Sequence, residues 1–458
     1  MKIIKLIKKK YDIVVPSRKV FLVTPVAETG VTIESLKYCI DSGFHNLVSY
    51  YPEFNASIII TSPINQFSVK QRKGRIGRIA PGEWYPCFTK DALNYLPMSK
   101  IPEILNQELS GIMLSSIIEY TSSNIKSLSN ISDIQNDIFK IKGANTIYNI
   151  IDKTQEFDIN KLDYLTNPSI NIYTCSFEKL YKLGFIDYKY DISLLGFLAN
   201  KFKIYQIEYI KMLLSGFKYG ARMHDLITII AGGSIGELLN KFDKNSKKYY
   251  KSFRYKKTDE LLHNYIFTDD LLELIYLYNN FKYFISNLLQ EECSNTNNNK
   301  VDLLSEVQKW CTNKNVNYNK FIMFLEKRDN IFEKFVKLGM DPYYNKLNIK
   351  NKLKTLNQLI YSDIFIAIEE IKKIKRCIFD GFYNNLVFLK DKKYYLKKFN
   401  FPIIINSKIM ISKKFIENKP RILVATNLAF RFDNGEFRLM ASSMSPMDCY
   451  INIDDALI

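Results

Sequence analysis

Eight residues, Gln71-Arg72-Lys73-Gly74-Arg75-Ile76-Gly77-Arg78, carry the densest chemical signal in the chain. Three arginines and two glycines stand at fixed offsets, after a short apolar run and ahead of Pro81-Gly82. A spacing of three puts Arg72, Arg75 and Arg78 on one side of a helical turn. Gly74 and Gly77 leave room for a bulky anion, such as a polyphosphate, to approach the backbone. Guanidinium forks suit phosphate oxygens because they are planar, permanently charged and bidentate. Four clustered cations can also form a solvated basic turn. The interleaved glycines, the leading Gln71 and the flanking strands favour a nucleotide-phosphate clamp.

The elements that must position this clamp read as an open α/β sheet. Residues 19–25 form an apolar run expected as a buried strand, and residues 37–41 are expected as another. Between them Thr24, Glu28, Thr29, Gly30 and Thr32 belong to a polar loop at a strand end, where ligands of such sheets sit. Asp41-Ser42-Gly43 ends the second strand in the same way. A third apolar run, Ile58-Ile59-Ile60, leads through Pro63 to the arginines. Tyr50, Tyr51 and Phe54 fall at a hairpin tip, where aromatic rings either cap a loop or stack on bases.

The bulk composition narrows the partner. The chain has 458 residues, enough for two to four domains, and 47% of them are apolar, which marks a globular protein. A formal net charge of +18 points to a polyanion, with nucleic acid the first candidate and an anionic membrane surface the second. No apolar run reaches bilayer length, and Met1–Lys10 lacks the features of a secretory signal. The 7 cysteines are dispersed without a C-x-x-C pair, which suits a reducing, intracellular compartment and argues against a disulfide framework or a zinc cluster. His45, His224 and His263 are far apart, and no metal ligand set is read from the residues.

The order of these motifs resembles the end of the second RecA-like domain of DEAH/DExH-box RNA helicases, in superfamily two. Thr24–Ile33 is similar to that family's T-N-I-A-E-T-S-L-T-I motif, and Gln71–Arg78 to its Q-R-x-G-R-x-G-R motif at every fixed position. Thr61-Ser62-Pro63-Ile64 and Gly82-Glu83-Trp84-Tyr85 match in place. Downstream, residues 165–205 resemble the family's winged helix and residues 206–345, strongly helical, its ratchet domain, with Asp269-Asp270 and Trp310-Cys311 at signature positions. Asp380–Asn385 and the strands expected after it resemble the terminal OB-fold. The implied fold class is multidomain, α/β plus α. A partial RecA-like parallel sheet spans 1–119, an insertion and winged helix 120–205, a helical ratchet domain 206–345 and an OB-fold-like β domain 346–458. Residues 121–164 and the basic-aromatic stretch 241–257 depart from the family. The lysine-rich composition and the R-K-G-R sequence are similar to helicases of large DNA viruses, which places the protein in host cytoplasm or virion.

What the resemblance implies for mechanism depends on parts the chain does not contain. No G-x-x-x-x-G-K-[ST] phosphate loop and no D-E-x-H box occurs, and Gly232-Gly233-Ser234-Ile235-Gly236 lacks the lysine that such a loop needs. The chain is therefore expected to carry half an ATP site and to need a separate polypeptide with the first RecA-like domain, which would also hold Mg²⁺. By resemblance, Arg75 and Arg78 are fingers that stabilise charge on the γ-phosphoryl group, and Gln71 contacts that group or the attacking water. Gly74, Gly77, Asp41 and Gly43 help to seat the nucleotide, with Arg72 structural. Thr24, Glu28, Thr29, Gly30 and Thr32 touch the nucleic-acid backbone, although Gly30 replaces a family serine. Tyr50, Tyr51 and Phe54 would form the strand-separating wedge. The expected partner is RNA, single-stranded or duplex, with DNA the alternative. A non-catalytic RNA-binding protein descended from a helicase is the rival reading.

Overall fold

The computed structural model describes residues 19–30, 33, 36–121, 164–202, 206–238, 269–294, 303–338, 340, 368–405, 420–433 and 436–447. It divides into two compact units, one of residues 1–48 and 59–103 and the other of residues 49–58 and 104–458. The expected residues Thr32, 241–257 and most of 121–164 lie outside the described ones.

In the first unit, a single turn α1 (Val26–Thr29) precedes β1 (Tyr38–Asp41), then the first arm of β2 (Phe44–Tyr51) and the second arm of β3 (Ala56–Pro63). Helix α2 (Gln66–Lys73), β4 (Glu83–Pro86) and α3 (Lys90–Tyr95) follow. Strands β1 and β4 pair in parallel, Tyr38 opposite Glu83 and Asp41 opposite Pro86. The strand expected at 19–25 is absent. Residues 19–23 have no regular structure, and Val20, Leu22 and Val23 are 86%, 96% and 61% exposed. A parallel strand is held by neighbours on its edges and layers on its faces, and none of the described strands pairs with these residues. Their apolar sequence alone does not make a strand.

The second unit is mostly helical. Helices α4 (Ser110–Thr121), α5 (Ile170–Lys182), α6 (Leu194–Phe202), α7 (Ile207–Tyr219), α8 (Met223–Ile235), α9 (Asp270–Ser294), α10 (Leu303–Asn313), α11 (Tyr318–Lys337) and α12 (Ile368–Phe382) share one apolar core. The three-to-four spacing in α7 does what its pattern predicts, since Ile207, Ile210 and Leu214 are all buried. Trp310 and Cys311 are core residues too. The Gly232-Gly233 pair is explained by packing: a Cβ on Gly232 would lie 2.6 Å from the Leu274 side chain, and one on Gly233 1.9 Å from the Tyr209 hydroxyl.

After α12 come β5 (Leu386–Lys390), β6 (Lys393–Leu396), β7 (Phe401–Ile405), β8 (Ile422–Asp433) and β9 (Glu436–Pro446). Pairings β5–β6, β6–β7, β7–β9, β9–β8 and β8–β5 close these strands into a ring, with β7–β9 its only parallel step among the described pairings. Leu423, Ala425, Leu439, Ala441 and Met444 fill its interior. Residues 49–58, the hairpin tip between β2 and β3, group with this unit, and Ser57 and Ile58 run parallel to Ala429 and Phe430.

A polar network fixes that tip. Asn55, in the left-handed region at φ 49°, accepts from the Tyr50 hydroxyl at 2.9 Å and from Lys179 Nζ at 3.1 Å, and donates to Glu208 at 2.9 Å. Lys179, its side chain 10% exposed, lies 2.6 Å from Glu208 and 3.5 Å from Glu108. Burial alone would lower the Lys179 pKa, but Glu108, Glu208 and Tyr50 hold it above the ordinary lysine range. Burial raises the Tyr50 pKa, so this hydroxyl stays protonated and donating. Lys179→Met should leave Glu208 buried without its cation and destabilise the unit by about 3 kcal/mol. Lys182→Met, which removes the more exposed pair with Glu178, should cost less than about 1 kcal/mol. Urea titrations followed by circular dichroism measure the difference. Because a raised lysine pKa contributes below its unfolded value and is lost only as pH climbs through the folded one, the gap should hold from pH 6 to 9 and close in stronger alkali.

Candidate functional site

The arginine-glycine motif is built from the helix that precedes it. Asn65 caps α2 by accepting from Ser68 N at 2.8 Å, and Gln66 donates from its side chain to the Leu96 carbonyl at 3.0 Å. The helix stops at Lys73, because Gly74 takes the C-cap position with its N–H on Lys70 O. Arg72 therefore sits in the last helical turn, whereas Arg75 and Arg78 lie in the irregular turn that follows. The single helical face expected for the three arginines is not formed. Gly77, at φ +76°, redirects the chain between Arg75 and Arg78. A Cβ there would meet nothing within 4 Å, so the backbone of this turn is open to approach.

Each arginine has a different environment. Arg72 bonds on three sides: Nε to Glu28 Oε2 at 3.0 Å, Nη1 to Asp41 Oδ1 at 2.7 Å, and Nη2 to the Phe44 carbonyl at 3.3 Å. Burial would weaken its proton affinity, but the hydrogen bonds it donates to Asp41 and Glu28 raise its pKa beyond the ordinary arginine value. Arg75 donates to the Glu28 carbonyl, and Arg78 Nε reaches the Gly74 carbonyl at 3.5 Å. Glu28 thus holds Arg72 through its carboxylate and Arg75 through its backbone.

Asp41 is the buried end of this arrangement. Its side chain is 0% exposed, and Oδ1 accepts from Gly43 N at 3.0 Å as well as from Arg72, while Oδ2 has no hydrogen-bond partner among the described residues. Asp41 seats Arg72 rather than Arg75 or Arg78. Gly43, also at φ +76°, is required where it stands, since a Cβ would press to 2.6 Å against the Phe88 ring. Thr24, Glu28, Asp41, Arg72 and Arg75 border one cleft of about 200 Å³, with Cys39 and apolar residues completing its wall. Burial and then Asp41 raise the Cys39 thiol pKa. Gln71, Gly74, Gly77 and Arg78 are exposed beside the cleft, not in its lining. Thr29 and Gly30 are exposed at the end of α1.

The three aromatic residues expected at the wedge are not alike. Tyr50 turns inward to Asn55, and Phe54 packs 4.9 Å from Phe399, 5.3 Å from Phe401 and 5.2 Å from Phe430. Tyr51 alone of the three is strongly exposed, at 38%, with its ring 5.3 Å from Phe430. Sequence reasoning missed Asn55, Lys179 and Glu208, which hold this tip. The signal available for Asn55 was its type, because asparagine tolerates left-handed backbone in tight turns.

Comparison with known proteins bears on this geometry. No family model matches the chain. African swine fever virus proteins that bear the name RNA helicase B962L are 25% identical (Warthog/Namibia isolate) and 26% identical (Tick/Malawi isolate), each over 96% of this chain and 42% of its own length. The chain is similar in sequence to proteins named as RNA helicases. Its sequence resembles the carboxyl-terminal half of such a helicase, of the kind found in large DNA viruses. The ATP-dependent RNA helicase DHX35 of Homo sapiens is 39% identical over 97 residues, which is 21% of this chain and 14% of the human protein. The chain spans about two fifths of the length of its viral helicase relatives.

Because Asp41 is buried, its pairing with Arg72 is the stability test for the site. Arg72→Lys keeps the charge but loses the planar fork that reaches Glu28, Asp41 and Phe44 together. The chain has 2 tryptophans, Trp84 in the first unit and Trp310 in the second. In a Trp310→Phe background, Arg72→Lys should lower the urea midpoint reported by Trp84 fluorescence, by about 2–3 kcal/mol of stability. The Trp310 signal of a Trp84→Phe background should not move.

Proposed function

We propose that the chain supplies the arginine fingers and the nucleic-acid-binding surfaces of an ATP-dependent RNA helicase, working with a first RecA-like domain that carries the phosphate loop. The observation that carries this reading is the double hold of Glu28 on Arg72 and Arg75. The α1 turn that resembles the family's nucleic-acid-contacting motif is thereby bonded directly to the motif that resembles its phosphate-sensing one. A backbone contact from RNA at Thr24, Thr29, Gly30 or Thr32 would shift Glu28, and with it the guanidinium of Arg75. That is a physical route by which RNA could set the arginines for hydrolysis.

The residues present fit half of a nucleotide site. Arg75 and Arg78 offer the always-charged forks that suit phosphate oxygens, and Gly77 leaves the backbone between them uncovered. ATP supplies the phosphoanhydride bond when bound. The work of this chain is to place cationic charge where negative charge develops on the transferred group, with Gln71 beside it to orient the attacking water. By the helicase resemblance, Mg²⁺ would take its ligands from the first RecA-like domain. No helix of the described residues is long and apolar enough to cross a membrane.

The rest of the layout supports the same reading. Ring order β5-β6-β7-β9-β8 with a parallel β7–β9 step is what an OB-fold needs. Helix α5, the short bridge Ile186–Ile192 and α6 fit a reduced winged helix, and α7 to α11 a ratchet domain. These would form a basic channel for a single strand, in keeping with the +18 net charge.

RNA-stimulated ATP hydrolysis, measured on the purified chain alone and mixed with a polypeptide carrying the first RecA-like half, tests the proposal. Activity should arise only in the mixture and should fall by roughly 10³–10⁵ in the Arg78→Ala variant. A silent mixture that still binds RNA in a salt-sensitive way would make the chain a binding protein without a motor.

A further inference from the structure

The turn that carries Arg75 and Arg78 is tied at its two ends and in its first half, but not in its second. At one end Gly74 N bonds the Lys70 carbonyl at 2.9 Å. At the other, Glu83 N bonds the Lys37 carbonyl at 2.8 Å, where β4 begins to pair with β1. In the first half Arg75 N reaches Arg72 O at 3.1 Å, and Ile76 N reaches Lys73 O at 3.3 Å. Among the described residues, residues 77–82 make no backbone–backbone hydrogen bond. Arg78 lies in this second half, so its place depends on how the returning limb of the turn packs against the limb it left.

Gly82 is where the two limbs meet. A Cβ at this position would lie 2.9 Å from the Lys37 carbonyl oxygen, 3.0 Å from Ile76 Cβ and 3.1 Å from Gly77 N. Two of these atoms are backbone and the third is the root of a branched side chain, so none can swing aside as the far end of a long side chain could. Gly82 does not have a positive φ, and its backbone conformation is open to residues with side chains. Space, and not φ, is what calls for glycine here. Gly77 is the reverse case, with φ at +76° and nothing within 4 Å of a Cβ. One glycine turns the chain between the arginines, and the other lets it return close.

We infer that Gly82 is a positioning residue that sets where Arg78 stands relative to Arg75, by letting the returning limb lie directly on Ile76, Gly77 and the lead-in to β1. The inference rests on the arginine-finger reading above and adds to it the residue that fixes the spacing of the two fingers. Arg75 is tied to the Glu28 carbonyl of the α1 turn, whereas a methyl group at residue 82 would push on Gly77, the neighbour of Arg78. The contact atoms would have to give by a few tenths of an ångström. Stabilising charge on a transferring phosphoryl group needs donors set at hydrogen-bond distance from where that charge develops. A shift of this size therefore bears on the chemical step more than on binding. Gly82 acts through the turn and offers no side chain to the nucleotide.

Steady-state, RNA-stimulated ATP hydrolysis by the full chain mixed with a polypeptide carrying the first RecA-like half tests this, with Arg78→Ala as the reference for loss of a finger. Gly82→Ala should lower kcat roughly ten-fold, while KM for ATP stays within about two-fold of wild type and circular dichroism reports a native fold. Ile76→Gly removes the one side-chain atom in the contact, and adding it to Gly82→Ala should recover part of the lost kcat. If Arg78→Ala is inactive and Gly82→Ala keeps the wild-type kcat, the inference is overturned and the finger reading stands. If Gly82→Ala loses activity together with its native circular dichroism, Gly82 serves folding alone and the inference is overturned as well. A wild-type mixture without RNA-stimulated hydrolysis would remove both readings at once.

Discussion

Arg72 joins three segments of the first unit that share little else. Its Nε holds the α1 turn at Glu28, its Nη1 holds the end of β1 at Asp41, and its Nη2 holds the start of β2 at Phe44. Asp41 is fully enclosed, so the ion pair offsets the desolvation of its carboxylate. A small two-stranded parallel sheet has little stability by itself, which makes this guanidinium the tie between the sheet, α1 and α2. The more exposed turn with Arg75, Gly77 and Arg78 is then held at its base while its glycines leave the backbone accessible. Arg72, tied into the unit, and the two arginines beyond it are thus separated by one helix cap, Gly74.

In the second unit a different ionic group has a comparable place. Lys179 from α5, Glu208 from α7 and Asn55 from the hairpin tip share one set of hydrogen bonds, and Asn385 lies 3.4 Å from Asn55 as well. A nearly buried lysine and glutamate are costly unless every atom has a partner, and Glu208 Oε2 has none. The network is consequently sensitive to the loss of any member. Its consequence is that Tyr50 and Phe54 serve to dock the tip, and exposed aromatic surface is carried by Tyr51, Phe399, Phe432 and Phe437.

How far the sequence was legible depended on whether a feature was local. Strands form at 38–41 and across Ile58–Ile60 as read, but the first is not the buried strand expected, since Tyr38 and Ile40 are exposed and Asp41 is buried; in the amphipathic α7 local pattern and burial agree. Motif order carried the resemblance, because the arginine and glycine offsets of Gln71–Arg78 match the helicase pattern at every fixed position. Residues 19–25 misled for the opposite reason: an apolar run becomes a strand through its neighbours, which its own sequence does not contain. The supposed arginine face failed at a single residue, Gly74, whose capping role competes with the spacing of three. Partners distant in sequence, such as Asn55 with Glu208 or Lys375 with Asp269 and Ser445, leave no local trace.

The central proposal is that Arg75 and Arg78 complete a nucleotide site whose phosphate loop lies on a first RecA-like domain. It is tested most directly by sedimentation of this chain with the first RecA-like half, in the presence and absence of RNA and a magnesium-bound ADP–metal fluoride that mimics the transferring phosphoryl group. The account predicts that the two chains associate more tightly when the mimic and RNA are both present, and that Arg75→Ala or Arg78→Ala abolishes this gain without changing association in its absence. Association that is indifferent to the mimic, or equally strengthened in the arginine variants, would contradict it.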